Sequence, residues 1–292
     1  MQFINPLTDY AFKKIFGSPE SVDILLSFLN ATLGLQAPWR LQSVAIQDPY
    51  LAAPILGMKD SFVDVRATDE QGKHYVIEMQ VLPFASMEQR VLYNACKKYA
   101  GQISTGEDYR LLNDVIALTI TDFKMFEHAD VVSKYKLRDE TGRDYSDDLE
   151  LIFVELPKFS KGEAELASLL DKWCYFLRHA KRLDRVPGVL ASEAPIAHAF
   201  TIANRAQMSA AELEAQERRE MYLQDQRGML EKASTDGAAK GHAEGRAKGL
   251  EEGKQAQSRM IAKNLAALGL DNEKIAAATG LGLDEVAALL AG

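Results

Sequence analysis

SFVDVRATDEQGKHYVIEMQV, residues 61–81, decides the fold. Apolar side chains recur at every second position on both sides of Glu70-Gln71-Gly72, so the stretch reads as two β-strands around a tight turn. Gly72 supplies the φ > 0 position that such a turn needs. Alternation puts Val63, Val65, Ala67, Tyr75, Ile77, Met79 and Val81 on a core face, and Asp64, Arg66, Glu78 and Gln80 on the other. With Gln71 at the centre of the turn, Asp64 stands opposite Glu78, their β-carbons roughly 4.5–5.5 Å apart. Two like charges so placed are destabilising unless something positive sits between them. A hard divalent cation is one answer, because Mg²⁺ takes one or two carboxylates and keeps positions open for water and phosphate. The other is a solvated polar face on which Arg66 and nearby lysines offset the acids. Spacing alone leaves both open.

Outward from the hairpin, mixed α and β structure continues in both directions. Thr8 or Asp9 caps a helix carrying Tyr10, Phe12, Ile15 and Phe16. After Gly17-Ser18-Pro19, helical spacing resumes through Ile24, Leu25, Phe28, Leu29 and Leu33 up to Gly34. Residues 41–50 read as extended. Ser86 and Gln89 form a capping box for a helix through about Ile103. On that helix Arg90, Tyr93 (or Asn94) and Lys97 share a face, turned either to phosphates or to solvent. LNDVIALTITDF, 112–123, is a strand buried on both faces. A second hairpin covers about 132–156 with Gly142 in its turn, and helices follow from Gly162, broken near Pro187-Gly188 and Pro195. The expected fold is α+β: a mixed central sheet flanked by helices, ending in a helical C-terminal extension.

The chain has 292 residues, 47% hydrophobic and 26% charged, in the range of soluble globular proteins. No apolar run is long enough for a membrane span, and MQFINPLTDYAFKKIF lacks the charged-then-apolar pattern of a signal peptide. Cys96 and Cys174 match no metal spacing, which suits a reduced cytoplasm. A net charge of −8 argues against coating nucleic acid by bulk electrostatics, so any DNA contact needs a local basic patch, a metal ion or both. The five histidines form no metal-binding doublet and pair with no clear nucleophile. GxSxG and GxGxxG are absent, and GLEEGKQ has neither the spacing nor the Ser/Thr of a phosphate-binding loop.

Beyond residue 205 the composition shifts. A connector, 206–257, carries glycines at 237, 241, 245, 249 and 253. Each costs a helix about 1 kcal/mol relative to alanine. They suit either a close-packed helix pair between two copies or a flexible linker. The last unit, 258–292, resembles a helix-turn-helix in EKIAAATG and LDEVAALL. Its acids, Asp271, Glu273, Asp284 and Glu285, outnumber Arg259, Lys263 and Lys274, which favours protein association over DNA reading and points to a homo-oligomer.

NPLTDYAFKKIFG, SFLNATLG, the hairpin, QRVLYNACKKYAGQI, GEDYRLLNDVIALTITDF and LELIFVELPKFSK occur in that order over roughly residues 5–180. Together they resemble the PD-(D/E)XK nuclease superfamily and, within it, the recombination-promoting nuclease (Rpn), transposase-like family. The resemblance implies a restriction-endonuclease-like core, residues 1–205. It further implies a metal-dependent DNA endonuclease linked to recombination, mobile elements or defence. Asp64 and Glu78 would ligate Mg²⁺ (or Mn²⁺ or Ca²⁺) with the Met79 carbonyl, and Asp9 would complete the shell or simply cap its helix. Gln80 stands where the superfamily usually has lysine; its amide can orient the attacking water but brings no charge. Lys59, Arg90 or Lys97 would supply the missing cation. The rival reading is a catalytically inactive nuclease fold used as a DNA-binding or regulatory oligomer.

Overall fold

The computed structural model describes residues 2–51 and 61–291. Helices α1 (Asp9–Phe16) and α2 (Val22–Leu33) precede strands β1 (Val44–Gln47), β2 (Tyr50–Leu51), β3 (Ser61–Phe62), β4 (Val65–Asp69) and β5 (His74–Gln80). Then come α3 (Met87–Ala100), β6 (Val115–Thr121), β7 (Val132–Arg138) and β8 (Asp144–Glu155). The chain ends in α4 (Leu169–His179), α5 (Gly188–Ala191), α6 (Ala194–Ile202), α7 (Ala210–Ala267), α8 (Asn272–Thr279) and α9 (Leu283–Ala291). Two compact units divide it, Met1–Asp225 and Gln226–Gly292.

The hairpin has the register that its turn dictates. Val65 pairs with Ile77 and Thr68 with His74. Gly72 adopts φ +85°, which favours glycine, and a β-carbon there would come within 2.9 Å of Asn113 Oδ1 and displace that exposed side chain. Asp69 Oδ1 accepts the amides of Gln71 and Lys73, and the Tyr75 hydroxyl donates to Asp69 Oδ2. The turn is thereby tied to the core.

β4 and β5 sit inside a six-stranded mixed sheet ordered β1-β4-β5-β6-β8-β7. β5, β6 and β8 run parallel, while β1 and β7 pair antiparallel at the edges. Every residue of β6 is buried, as its unbroken apolar and β-branched run requires. α3 makes the crossover between β5 and β6. This is the α+β, restriction-endonuclease-like architecture expected from the sequence.

Each sheet face has its own core. On one, Phe12, Phe16, Phe28, Trp173, Phe176 and Phe200 from α1, α2, α4 and α6 pack with Val65, Ala67, Tyr75, Ile77 and Met79. Each phenylalanine among them, fully buried, contributes about 1.5–3 kcal/mol. On the other face, Val91 and Ala95 of α3 cover Val76, Val115, Ala117 and Phe153. The second face of the hairpin is thus roofed by a helix and is not an open polar surface. Val63 belongs to this second cluster and not, as strict alternation expects, to the face of Val65. The chain bends at Asp64, and the bend resets the alternation.

Helix starts differ from expectation in one respect. Thr8, extended at φ −85°, caps α1 and accepts the Ala11 amide. Ser86 precedes α3 at φ +66°, and its side chain makes no capping bond. A cap needs an extended residue, so the capping box does not form, and α3 ends at Ala100 rather than near Ile103.

The first unit takes in the opening turns of α7. Gln216, fully buried, donates to Thr8 Oγ1 at 2.5 Å and to the Asn5 carbonyl at 3.3 Å. Glu212 accepts from Lys14 at 2.8 Å and from the Tyr10 hydroxyl. In the second unit Ala262, Ile275 and Val286 form a small core, Asp271 caps α8, and Gly280 turns the chain at φ +72°. The fourfold-spaced glycines lie in α7 with open space where each β-carbon would be. Among the described residues no helix is long and apolar enough to cross a membrane.

Candidate active site

Asp64 occupies the bend just before β4, one step beyond the Val65–Ile77 pair and therefore level with Glu78. Its Oδ2 accepts the Met79 amide at 2.7 Å. Its Oδ1 lies 3.6 Å from the Lys13 ammonium, which also holds Asp9 at 3.0 Å. Asp9 and Lys13 are one turn apart on α1, so a single helix face delivers both. Glu78 lies toward the end of β5 and turns to α3. Asn94 Nδ2 donates to its Oε1 at 2.5 Å, Gln80 Nε2 donates to Oε2 at 3.3 Å, and the Arg90 guanidinium is 3.6 Å away. Arg90 and Asn94 are again one turn apart. The level carboxylates are therefore tolerated because each is met by a cation from a different helix, with Met79 between them.

Compensation is incomplete. Burial pushes the Asp64 carboxyl up to about 7; the Met79 amide and Lys13 oppose this, while the charge and hydrogen bond of Asp9 add to it. Burial also raises Glu78, against Arg90, Asn94 and Gln80. The Glu78 side chain is 5% exposed and that of Asp64 14%. Asn94, itself buried, leaves its Oδ1 with no hydrogen-bond partner.

Two desolvated carboxylates make an all-oxygen donor set. That chemistry suits Mg²⁺, Mn²⁺ or Ca²⁺ and not a thiolate- or imidazole-seeking metal. Among the described residues no three His, Cys, Asp or Glu side chains are grouped so that they could hold a metal ion together. An ion here would rest on one or two carboxylates and keep much of its water, which is the ordinary manner of Mg²⁺. The residues fit the ion.

The structure brings Asp9, Asp64, Glu78, Met79, Gln80 and Arg90 into one neighbourhood. Lys97 is different. It is 6% exposed, with its ammonium 5.8 Å from the Tyr93 ring centroid. Lys59 lies outside the described residues. Lys13 was missed in the sequence; its one signal was the four-residue spacing from Asp9.

The family model for PD-(D/E)XK nuclease family transposases matches residues 6–233, from the approach to α1 into α7. No curated protein and no solved structure matches the chain.

Proposed function

The chain belongs to the PD-(D/E)XK nuclease family transposases, and on that premise we propose that it is a divalent-metal-dependent DNA endonuclease acting in recombination, mobile-element biology or defence. The observation that carries this reading is the pair of desolvated, incompletely neutralised carboxylates, Asp64 and Glu78, on either side of Met79.

Asp64, Glu78 and the Met79 carbonyl would hold Mg²⁺, and Asp9, linked to Asp64 through Lys13, would stand outside the direct ligands. When bound, the ion supplies a Lewis acid that acidifies water and offsets charge on the phosphoryl oxygens. The rest falls to the protein. Gln80, already hydrogen-bonded to Glu78, can hand its amide to the attacking water and orient it. It brings no charge, and Lys13 and Arg90 supply what a lysine at that position would have given. Arg90 is about half exposed and can turn from Glu78 toward a phosphate. Self-association through the helical C-terminal region completes the proposal.

Nicking of supercoiled plasmid tests it. Wild type is expected to cut with Mg²⁺ and not with chelator, and Asp64→Ala and Glu78→Ala are each expected to lose cutting by at least ~100-fold. Equal cutting by all three proteins contradicts the assignment. DNA retention without metal and without cutting favours the rival, an inactive fold that only binds.

A further inference from the structure

We propose that Asn94 is a positioning residue of this site: its amide nitrogen fixes the Glu78 carboxylate, and its carbonyl oxygen accepts a hydrogen bond from water held beside Glu78. The inference rests on the reading of Asp64 and Glu78 as the metal site and deepens it.

The argument starts from an oddity of packing. α3 lays an apolar face, Val91 and Ala95, over Val76, Val115, Ala117 and Phe153. Asn94 is 1% exposed beside that apolar face. An aliphatic side chain there would extend the cluster with no polar atom to satisfy. A carboxylate can only accept, so the bond to Glu78 Oε1 at 2.5 Å fixes which end of the amide is which: Nδ2 faces Glu78. The carbonyl oxygen is then a pure acceptor, buried and without a donor. Buried polar atoms are nearly always paired, and an unpaired one is costly enough to require a reason.

The site supplies that reason. Glu78 is gripped at both oxygens by side-chain amides, Asn94 at Oε1 and Gln80 at Oε2. A carboxylate fixed in this way is preorganised for an ion, and groups that hydrogen-bond a ligand in this manner typically govern metal affinity by 10- to 100-fold. Asn94 Oδ1 belongs to the same amide group, a short distance from Glu78. The orphan acceptor would be satisfied by a water held beside the carboxylate. Arg90, one turn earlier on α3, already points its guanidinium at Glu78 and completes a helix face devoted to this side chain.

Calorimetric titration of the full-length protein with Mn²⁺, paired with melting curves of the metal-free form, tests the assignment. Asn94→Leu removes both polar atoms at similar volume. It is expected to weaken Mn²⁺ binding by about 10- to 100-fold, while the metal-free protein melts close to the wild-type temperature, because the bond lost to Glu78 is offset by removal of the orphan oxygen. A purely structural asparagine would give the reverse, a lower melting temperature with unchanged affinity, and that result overturns the inference. Should leucine not fit, Asn94→Ala decides with the same expected loss of affinity. Wild-type binding with unaltered binding by the variant rejects Asn94 alone. A wild type that binds no Mn²⁺ rejects the metal site and this inference together.

Discussion

At the scale of single residues, the site is a contest between burial and charge. Asp64 and Glu78 are both held above their ordinary carboxylate range by desolvation, and each has only a partial cationic answer, Lys13 at 3.6 Å and Arg90 at 3.6 Å. Lys13→Met removes a cation that competes with metal and, on our reading, also helps the transition state. Mg²⁺ half-saturation should therefore fall or stay level while the cutting rate drops by roughly 100-fold. Metal-titrated nicking measures both, and an unchanged rate would show that Lys13 is only a salt-bridge partner of Asp9. The sequence made much of this legible. Gln71 at the centre of a glycine-assisted turn was enough to set the register that brings Asp64 level with Glu78. It could not show that the chain bends at Asp64, because a bend leaves no mark on alternation, and so strict alternation puts Val63 on the wrong face. The role of Lys13 beside Asp64 is hidden for another reason: its partner at 3.6 Å lies far along the chain.

At the scale of elements, helices and strands are stapled by a few buried polar groups. Glu155, at the end of β8, is fully buried and accepts the amides of Met125 and Phe126 as well as the Lys158 ammonium at 2.5 Å. Burial would raise its carboxyl, but Lys158 and the two amides outweigh it and hold the group below 4.5. A carboxyl depressed in the folded state contributes stability that is present above its unfolded value and lost as pH falls through the folded one. Glu155→Gln should thus cost about 3 kcal/mol at pH 7 by stranding Lys158. Urea melts of wild type and variant should converge below pH 4.5; a gap independent of pH would contradict the account. Strong periodic signals were read correctly at this scale, as the wholly buried β6 and the Gly34 and Gly142 turns illustrate. The α3 capping box failed because spacing alone records neither the positive φ of Ser86 nor where its side chain is aimed.

At the scale of the whole molecule, the first unit is closed by the start of α7. Gln216 caps the cap, donating to Thr8 at the head of the helix that carries Asp9 and Lys13. A chain ending at 225 should melt close to the full-length protein and bind Mg²⁺ as well, whereas one ending at 205 should melt several degrees lower and bind more weakly. Equal behaviour of the two would remove α7 from the support of the site. Residues 208–233 read as a charged, helix-favouring connector, and composition does not reveal that Gln216 and Leu223 are buried. The fourfold-spaced glycines bear on self-association. Sedimentation should give a multiple of the monomer mass for the full chain and one monomer for the chain ending at 225; matching states would exclude the C-terminal region as the contact. With a net charge of −8, productive DNA contact depends on positive charge concentrated at one place. That place is tested most directly by anomalous diffraction from crystals soaked in Mn²⁺. The account predicts a single strong peak bounded by Asp64, Glu78 and the Met79 carbonyl; ordered crystals with no peak there, or with Lys13 and Arg90 still holding the two carboxylates at saturating Mn²⁺, would contradict it.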